Sequence, residues 1–279
     1  MFIYLYFECK YLYMRKLYLL ISSILFASFL KAQDNNGPRI AALGNAGVAL
    51  QDVWSVKNNQ AGIAGLKKPI VAAGYENRFG VKELSTQAAV FSIPINNYAV
   101  GGAFNSYGVS DYREIKSGIS LAKSFGPKLF LAVGLNYHQL KITNYNSSNA
   151  FSVDVGLQYQ AFPKLWLGSH ISNPNQSKYG VNTDQIIPAH IQFGANYIFS
   201  DQLLITTEFE KILDAQADFK AGVEYKLIKF VALRGGISVN PFKQFAGFGV
   251  NYQRVNIDFA VASHPVLGYS PQVALGYEF

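Results

Sequence analysis

The sequence predicts an all-β protein: a transmembrane antiparallel up-and-down β-barrel of about 14 strands, preceded by a short helical or irregular segment. Three observations predict this fold. Apolar and polar residues alternate along most of the chain, the connection after every second strand is short, and few charges interrupt the pattern. About 50% of the 279 residues are hydrophobic and only 15% are charged, so the charged surface expected of a soluble protein is missing.

The last nine residues show the alternation most clearly. One face of this strand is apolar and consists of Val273, Leu275, Tyr277 and Phe279. The other face is small or polar and consists of Gln272, Ala274, Gly276 and Glu278. A period of two with an apolar outer face is typical of membrane-spanning barrel strands. The final aromatic residue, Phe279, also resembles the insertion signal of bacterial outer-membrane proteins.

Connection lengths distinguish a barrel from a soluble sandwich. Strands are predicted at roughly 69–78, 84–94, 97–106, 114–125, 128–142, 149–161, 164–172, 187–199, 202–212, 216–227, 229–239, 243–252, 254–262 and 271–279. Connections after even-numbered strands are short, and those after odd-numbered strands are mostly longer, the longest being about 173–186. This sorting is typical of outer-membrane barrels, whose short turns face the periplasm. We therefore expect a barrel over 69–279 in the bacterial outer membrane, with both termini periplasmic.

The amino terminus predicts a secretory signal peptide over residues 1–33. Met14-Arg15-Lys16 gives a positive start, Leu17 to Leu30 is apolar, and cleavage is expected near Ala32 or Gln33. Residues 1–13 are expected to lie upstream of the true start codon. The alternative interpretation, a transmembrane anchor, is disfavoured because the apolar run is short and diluted by serines.

Charge and cysteine content exclude several classes of function. The formal charge is +7, but the leader contributes +3 of it, and no basic cluster argues for nucleic acid. The single cysteine, Cys9, also lies in the leader, so cysteine-ligated metals are excluded from the mature chain. We expect neither metal nor cofactor, because no histidine has a second ligand at metal spacing among His138, His170, His190 and His264.

Residues 34–68, here called the plug segment, do not alternate. Small apolar residues fill 40–50, a polar break follows, and a second apolar piece covers 58–66. The pattern predicts two short helices or turns that enter the barrel mouth.

Two blocks in the plug segment carry a resemblance to a known family. Leu43-Gly44-Asn45-Ala46-Gly47-Val48-Ala49, followed by Asn59-Gln60-Ala61-Gly62-Ile63-Ala64, resembles the amino-terminal region of FadL-like outer-membrane proteins. The PorV/PorQ branch, which is linked to type IX secretion, is the most similar. That superfamily shows G-N-A-G-x-A, a polar turn matched here by Asp52, and then N-P-A-G-L-A. Gln60 replaces the usual proline and Ile63 the usual leucine. The resemblance implies a 14-stranded barrel whose amino-terminal segment plugs the lumen.

The resemblance also singles out residues for a ligand or plug role, namely Gly44, Asn45, Gly47, Asp52, Asn59 and Gly62. A structural role is favoured for the asparagines, because Asn caps helices and tolerates the left-handed region. Trp54 is expected to pack in the plug rather than to stack on a ligand.

Charged residues on the inward face of neighbouring strands form the second candidate group, which is Glu208, Lys220, Glu224, Arg234 and Asp258. Cross-strand ion pairs that brace a wet lumen are favoured over a catalytic cluster. No serine lies in a G-x-S-x-G frame and no clear Ser/His pair suggests a lipase. We therefore expect a protein that is not an enzyme.

Two functional hypotheses remain. The resemblance favours a PorV/PorQ-like accessory of type IX secretion, which would bind cargo proteins or other secretion components. The alternative is a FadL-like channel for a hydrophobic solute. Both make outer-membrane lipid a partner.

Overall fold

The computed structural model is a closed barrel of 14 antiparallel strands, in which each strand pairs with its neighbours in sequence and the first strand pairs with the last. The structure describes residues 36–144, 147–180 and 186–279. The predicted signal peptide, residues 1–33, lies outside the described residues. The predicted fold class is confirmed.

Strand boundaries differ from the predicted ones by three residues at most. The strands are β1 Ile70–Asn77, β2 Ser85–Ile95, β3 Tyr98–Gly108, β4 Tyr112–Phe125, β5 Leu129–Ile142, β6 Ser148–Phe162, β7 Leu165–Ser172, β8 His190–Ile198, β9 Leu203–Ile212, β10 Asp218–Ile228, β11 Val231–Val239, β12 Phe242–Tyr252, β13 Val255–His264 and β14 Gly268–Glu278.

The two rims of the barrel differ in connection length. The short-turn rim holds the connections after even-numbered strands, such as 96–97, 163–164 and 253–254. The loop rim holds the connections after odd-numbered strands, the longest of which spans 173–189. Three connections depart from the pattern, because 109–111, 240–241 and 265–267 are no longer than the connections of the short-turn rim.

The outer face of the wall is apolar and exposed. Val133 is 54% exposed, Leu275 58% and Phe219 59%, and Val133 lies directly opposite Leu121 and Val155 on the adjacent strands. Such a continuous apolar surface is costly in water but matches the hydrocarbon of a bilayer. Among the described residues, no helix is both long enough and apolar enough to cross a membrane.

The plug segment lies inside the barrel and supplies nearly half of the buried apolar residues. It contains α1, Pro38–Ala42, and two 3₁₀ helices, Val53–Val56 and Gln60–Gly65, where the sequence predicts two helices or turns. Ile40 and Leu43 are 0% exposed. With Trp54 they pack against wall alanines, namely Ala72, Ala88 and Ala274. In this cluster the largest side chains come from the plug and most of the wall residues are alanines, whereas in the second cluster the wall also supplies Phe130 and Trp166.

The facing of the strands predicts where a charge is tolerated. Val223 points outward at the middle of β10, so Val223→Arg places a guanidinium in hydrocarbon and should lower the free energy of unfolding by about 2–4 kcal/mol. Val239 points outward at the end of β11, so Val239→Arg should cost only about 0–1 kcal/mol. Urea unfolding from lipid vesicles measures both, and equal losses would contradict the assigned membrane depth.

Candidate functional site

The inner face of the wall carries a glycine at many of the places where it meets the plug. Nine of the fourteen strands place one there, and these residues, the glycine belt, are Gly74, Gly101, Gly134, Gly156, Gly168, Gly194, Gly222, Gly236 and Gly247. At every one of them, a methyl group added to the glycine would lie 3.4 Å or less from an atom of the plug segment. The wall is therefore shaped to the plug, with no space left for side chains between the two.

The closest approach lies on β10 and β11, where Gly222 and Gly236 are directly opposite each other. An added methyl group would lie 2.4 Å from the Leu43 carbonyl oxygen at Gly222 and 2.2 Å from the Gly44 nitrogen at Gly236. Gly44 itself has a φ of +73°, and a methyl group added to it would lie 2.6 Å from the Ile237 carbonyl oxygen. Backbone thus packs on backbone, which requires glycine on both sides.

The asparagine and aspartate residues of the two blocks shape the plug. Asn45 follows α1 with a φ of 61°, a conformation that asparagine adopts more readily than most residues. Asp52 caps the first 3₁₀ helix by accepting a hydrogen bond from the Trp54 amide at 2.9 Å. Asn59 caps the second by accepting one from the Ala61 amide at 3.2 Å.

Asn59 also fastens the plug to the wall. Its side-chain amide donates to the Val48 carbonyl oxygen within the plug at 2.6 Å and to the Leu157 carbonyl oxygen of β6 at 3.0 Å. The next residue, Gln60, donates to the Asp154 carboxylate at 3.1 Å. The proline that FadL-like proteins usually carry at this position could not donate this hydrogen bond, so the glutamine adds a link between plug and wall.

The two remaining glycines allow the plug to fold tightly on itself. A methyl group at Gly62 would lie 2.4 Å from the Leu50 carbonyl oxygen, and one at Gly47 would lie 2.6 Å from the Ile40 side chain. All six residues that the resemblance singled out therefore contact other parts of the plug or the wall. A role in ligand binding stays a prediction.

The charged residues on the inner wall form two clusters rather than one. In the first, the Lys220 ammonium lies 3.0 Å from the Glu208 carboxylate and 2.7 Å from that of Glu210. Glu208 also accepts hydrogen bonds from the Gly47 and Val48 amides at 2.8 and 2.9 Å. The cluster therefore supplies partners for plug amides that would otherwise be buried without any.

The second cluster joins the plug to β10, β11 and β13. The Arg234 guanidinium lies 2.7 Å from the Glu224 carboxylate and 2.5 Å from that of Asp258. Arg39 of α1 completes it with ion pairs to Glu224 at 2.9 Å and to Asp52 at 2.8 Å. The Glu224 charge raises the pKa of Arg39 well above its ordinary value, so the guanidinium stays charged.

Sequence reasoning missed two members of these clusters. Glu210 has the same strand parity as Glu208, so alternation alone could have found it. Arg39 lies in a segment without alternation, and no sequence period relates it to Glu224.

A cavity of about 410 Å³ opens between the plug and β10–β14 near the short-turn rim. Its lining includes apolar side chains such as Trp54, Leu66 and Ile70 as well as charged ones such as Arg39 and Glu224. Within the part of the chain that the structure describes, no group of three His, Cys, Asp or Glu residues is placed to hold a metal ion.

Solved structures similar to this barrel include proteins described as toluene transporters and as a FadL homologue. The toluene transporter TbuX of Ralstonia pickettii matches with a TM-score of 0.70 at 13% identity, covering 87% of this chain and 98% of that one. The Pseudomonas putida toluene transporter TodX gives 0.68 at 9% identity, with 87% and 97% covered. A FadL homologue of Pseudomonas aeruginosa gives 0.63 at 12% identity, with 90% and 99% covered.

At these identities the match shows a shared fold. Neither a family model nor a curated protein matches the sequence. The chain therefore has the fold of the FadL-type barrels.

The glycine belt predicts that one methyl group can displace the plug. Gly222→Ala should force the plug away from β10, because the added carbon would lie 2.4 Å from a carbonyl oxygen. The single-channel conductance in planar bilayers should then rise above that of the parent. Gly276→Ala is the matched control, since its added carbon has nothing nearer than 3.5 Å. Equal conductance in both variants would contradict a sterically seated plug.

Loss of the buried carboxylate that holds the plug should be strongly destabilising. Glu208→Ala leaves two plug amides and the Lys220 charge with fewer partners, so the free energy of unfolding should fall by about 3–5 kcal/mol. Hydrogen exchange at Gly47 and Val48 should accelerate. Asp201→Ala removes an exposed carboxylate from a turn and should change stability by less than about 0.5 kcal/mol. Unchanged exchange in the Glu208 variant would show that this carboxylate does not hold the plug.

Proposed function

We propose that this protein is a bacterial outer-membrane barrel, with both termini in the periplasm, that admits a small hydrophobic or amphipathic molecule past a plugged lumen. The observation that carries the proposal is the plug, seated against the glycine belt and tied by Arg39, Asn59, Gln60 and Glu208. A barrel of this size would otherwise leave an aqueous channel, so the plug makes passage selective.

The fold comparisons support a solute channel. The similar structures are described as a toluene transporter, a monoaromatic hydrocarbon channel and a FadL homologue. Their low identity leaves the solute of this chain a proposal. The cavity lined by Trp54, Leu66 and Ile70 together with charged residues suits a small molecule that has a hydrocarbon part.

The sequence favours a type IX secretion accessory, but nothing in the structure or the comparisons supports that role. Apart from 173–189, no connection at the loop rim is longer than 78–84, and 240–241 has only two residues. A surface for a folded cargo protein would rest mainly on the loop 173–189. We therefore prefer the channel to the secretion accessory.

An uptake experiment tests the channel. Cells that express the protein in their outer membrane should accumulate radiolabelled toluene several-fold faster than cells expressing an unrelated barrel at the same level. Uptake of a polar sugar of similar size should not change, because the plug closes the lumen to polar solutes.

The same uptake experiment is repeated with a deletion variant that keeps the signal peptide but lacks residues 34–68. Without the plug, uptake of the polar sugar should rise as well. Toluene uptake no faster than in the control cells would overturn the proposal. An assembled deletion variant that admits no more sugar than the parent would show that these residues do not close the lumen.

A further inference from the structure

Positive charge is concentrated at the short-turn rim. Among the described residues of its turns, of 66–69 and of the adjoining strand ends, eight are basic: Lys67, Lys68, Lys123, Lys128, Lys164, Lys226, Lys229 and Arg254. Only Asp201 and Glu278 are acidic, and Glu278 pairs with Lys68 at 3.2 Å. The loop rim carries both signs, because acidic residues such as Glu83, Asp111 and Asp214 accompany its basic residues. The short-turn rim therefore carries an excess of six positive charges.

Three of these basic residues lie next to aromatic residues at the rim of the barrel. Lys123 is the clearest case, because it points outward from β4. Its ammonium nitrogen lies 4.8 Å from the ring centre of Tyr98 and 5.0 Å from that of Phe125. Both rings are largely exposed, at 42% and 49%, so the amine is held at the outer edge of the rim.

The other two lie next to aromatic residues elsewhere on the perimeter. Lys164, in the β6–β7 turn, donates to the Phe199 carbonyl oxygen at 3.2 Å, and Phe199 lies edge-on to Tyr197. The carbonyl oxygen of Arg254, in the β12–β13 turn, accepts a hydrogen bond from the Glu278 amide at 2.8 Å, and the neighbouring Tyr277 lies edge-on to Phe279. Lys123, Lys164 and Arg254 are named here the rim cations.

We propose that the rim cations bind the phosphate groups of anionic phospholipids around the short-turn rim. Aromatic side chains at strand ends mark the level where hydrocarbon gives way to headgroups. A lysine or arginine there can lay its stem on apolar surface and present its charge to a phosphate. Anionic headgroups are attracted to basic residues at that depth.

The distribution of the rim cations favours lipid over an acidic protein partner. They lie on β4, between β6 and β7, and between β12 and β13, which places them on separate sectors of the closed barrel. One protein partner would cover a single sector, whereas lipid surrounds the whole perimeter. The proposal rests on the membrane location proposed above but not on solute transport.

Native mass spectrometry of the full chain in detergent tests the proposal, with phosphatidylglycerol and phosphatidylcholine as probes. The parent should bind phosphatidylglycerol more tightly than phosphatidylcholine. The triple variant Lys123→Gln, Lys164→Gln, Arg254→Gln should bind phosphatidylglycerol about fivefold more weakly, because each lipid site, on its own sector of the barrel, loses the attraction of one basic residue. High salt should reduce the parent's preference, because it screens exposed charges.

The matched control removes three exposed lysines from the loop rim, in Lys82→Gln, Lys141→Gln, Lys211→Gln. It should bind phosphatidylglycerol as the parent does. Equal loss in both triple variants, or no loss in the first, would overturn the proposal. Single variants replace the triple one if it does not fold, and each should weaken binding severalfold.

Further measurements distinguish a lipid ligand from other anionic ligands and test the membrane location itself. Inorganic phosphate at millimolar concentration should not displace the lipid, and full displacement would overturn a lipid ligand. A polyglutamate peptide that binds the parent while the triple variant keeps its lipid would overturn the proposal in favour of an acidic polypeptide. A parent chain that enters no vesicle of any composition would instead remove the membrane location on which the proposal depends.

Discussion

The close approach of plug backbone to wall backbone is the constraint on which this structure depends. A barrel of 14 strands encloses more space than its own inward side chains can fill. The plug segment fills that space only because wall residues such as Gly168, Gly222 and Gly236 have no side chain where the plug passes. Large apolar residues of the plug, Ile40 and Leu43 among them, therefore form a buried core in what would otherwise be a pore.

The same closeness dictates the polar contacts. A plug of one short α-helix and two 3₁₀ helices leaves many backbone groups without partners inside the segment. The wall supplies them: Glu208 accepts from two plug amides, Thr206 donates to the Ala46 carbonyl oxygen at 2.8 Å, and Gln158 donates to the Val48 carbonyl oxygen at 3.1 Å. The charged wall residues therefore act mainly as hydrogen-bond partners for the plug backbone, since buried ion pairs add little stability by themselves.

Alternation made the barrel predictable and left its interior unpredictable. Lipid on one side and the lumen on the other impose a period of two on every strand, so boundaries and facing could be predicted to within a few residues. The inward direction of Glu208 and Lys220 follows from the same parity. No period relates Arg39 to Glu224, or Leu43 to Gly222, because these contacts join a non-alternating segment to distant strands. The resemblance in the two blocks located the plug, but only the structure shows which wall atoms it meets.

These contacts also limit how a solute could pass. The apolar contacts of the plug with Ala72, Ala88 and Ala274 are non-directional and tolerate small shifts. The bonds to Glu208 and Glu224 are directional, and breaking them leaves buried charges that cost several kcal/mol. A displaced plug is therefore a rare state unless something binds it preferentially. A solute can shift the equilibrium toward the displaced plug only by the difference between its binding free energies for the displaced and the seated state. In the proposed channel, the charge clusters would therefore set the difference in affinity that a transported molecule must supply.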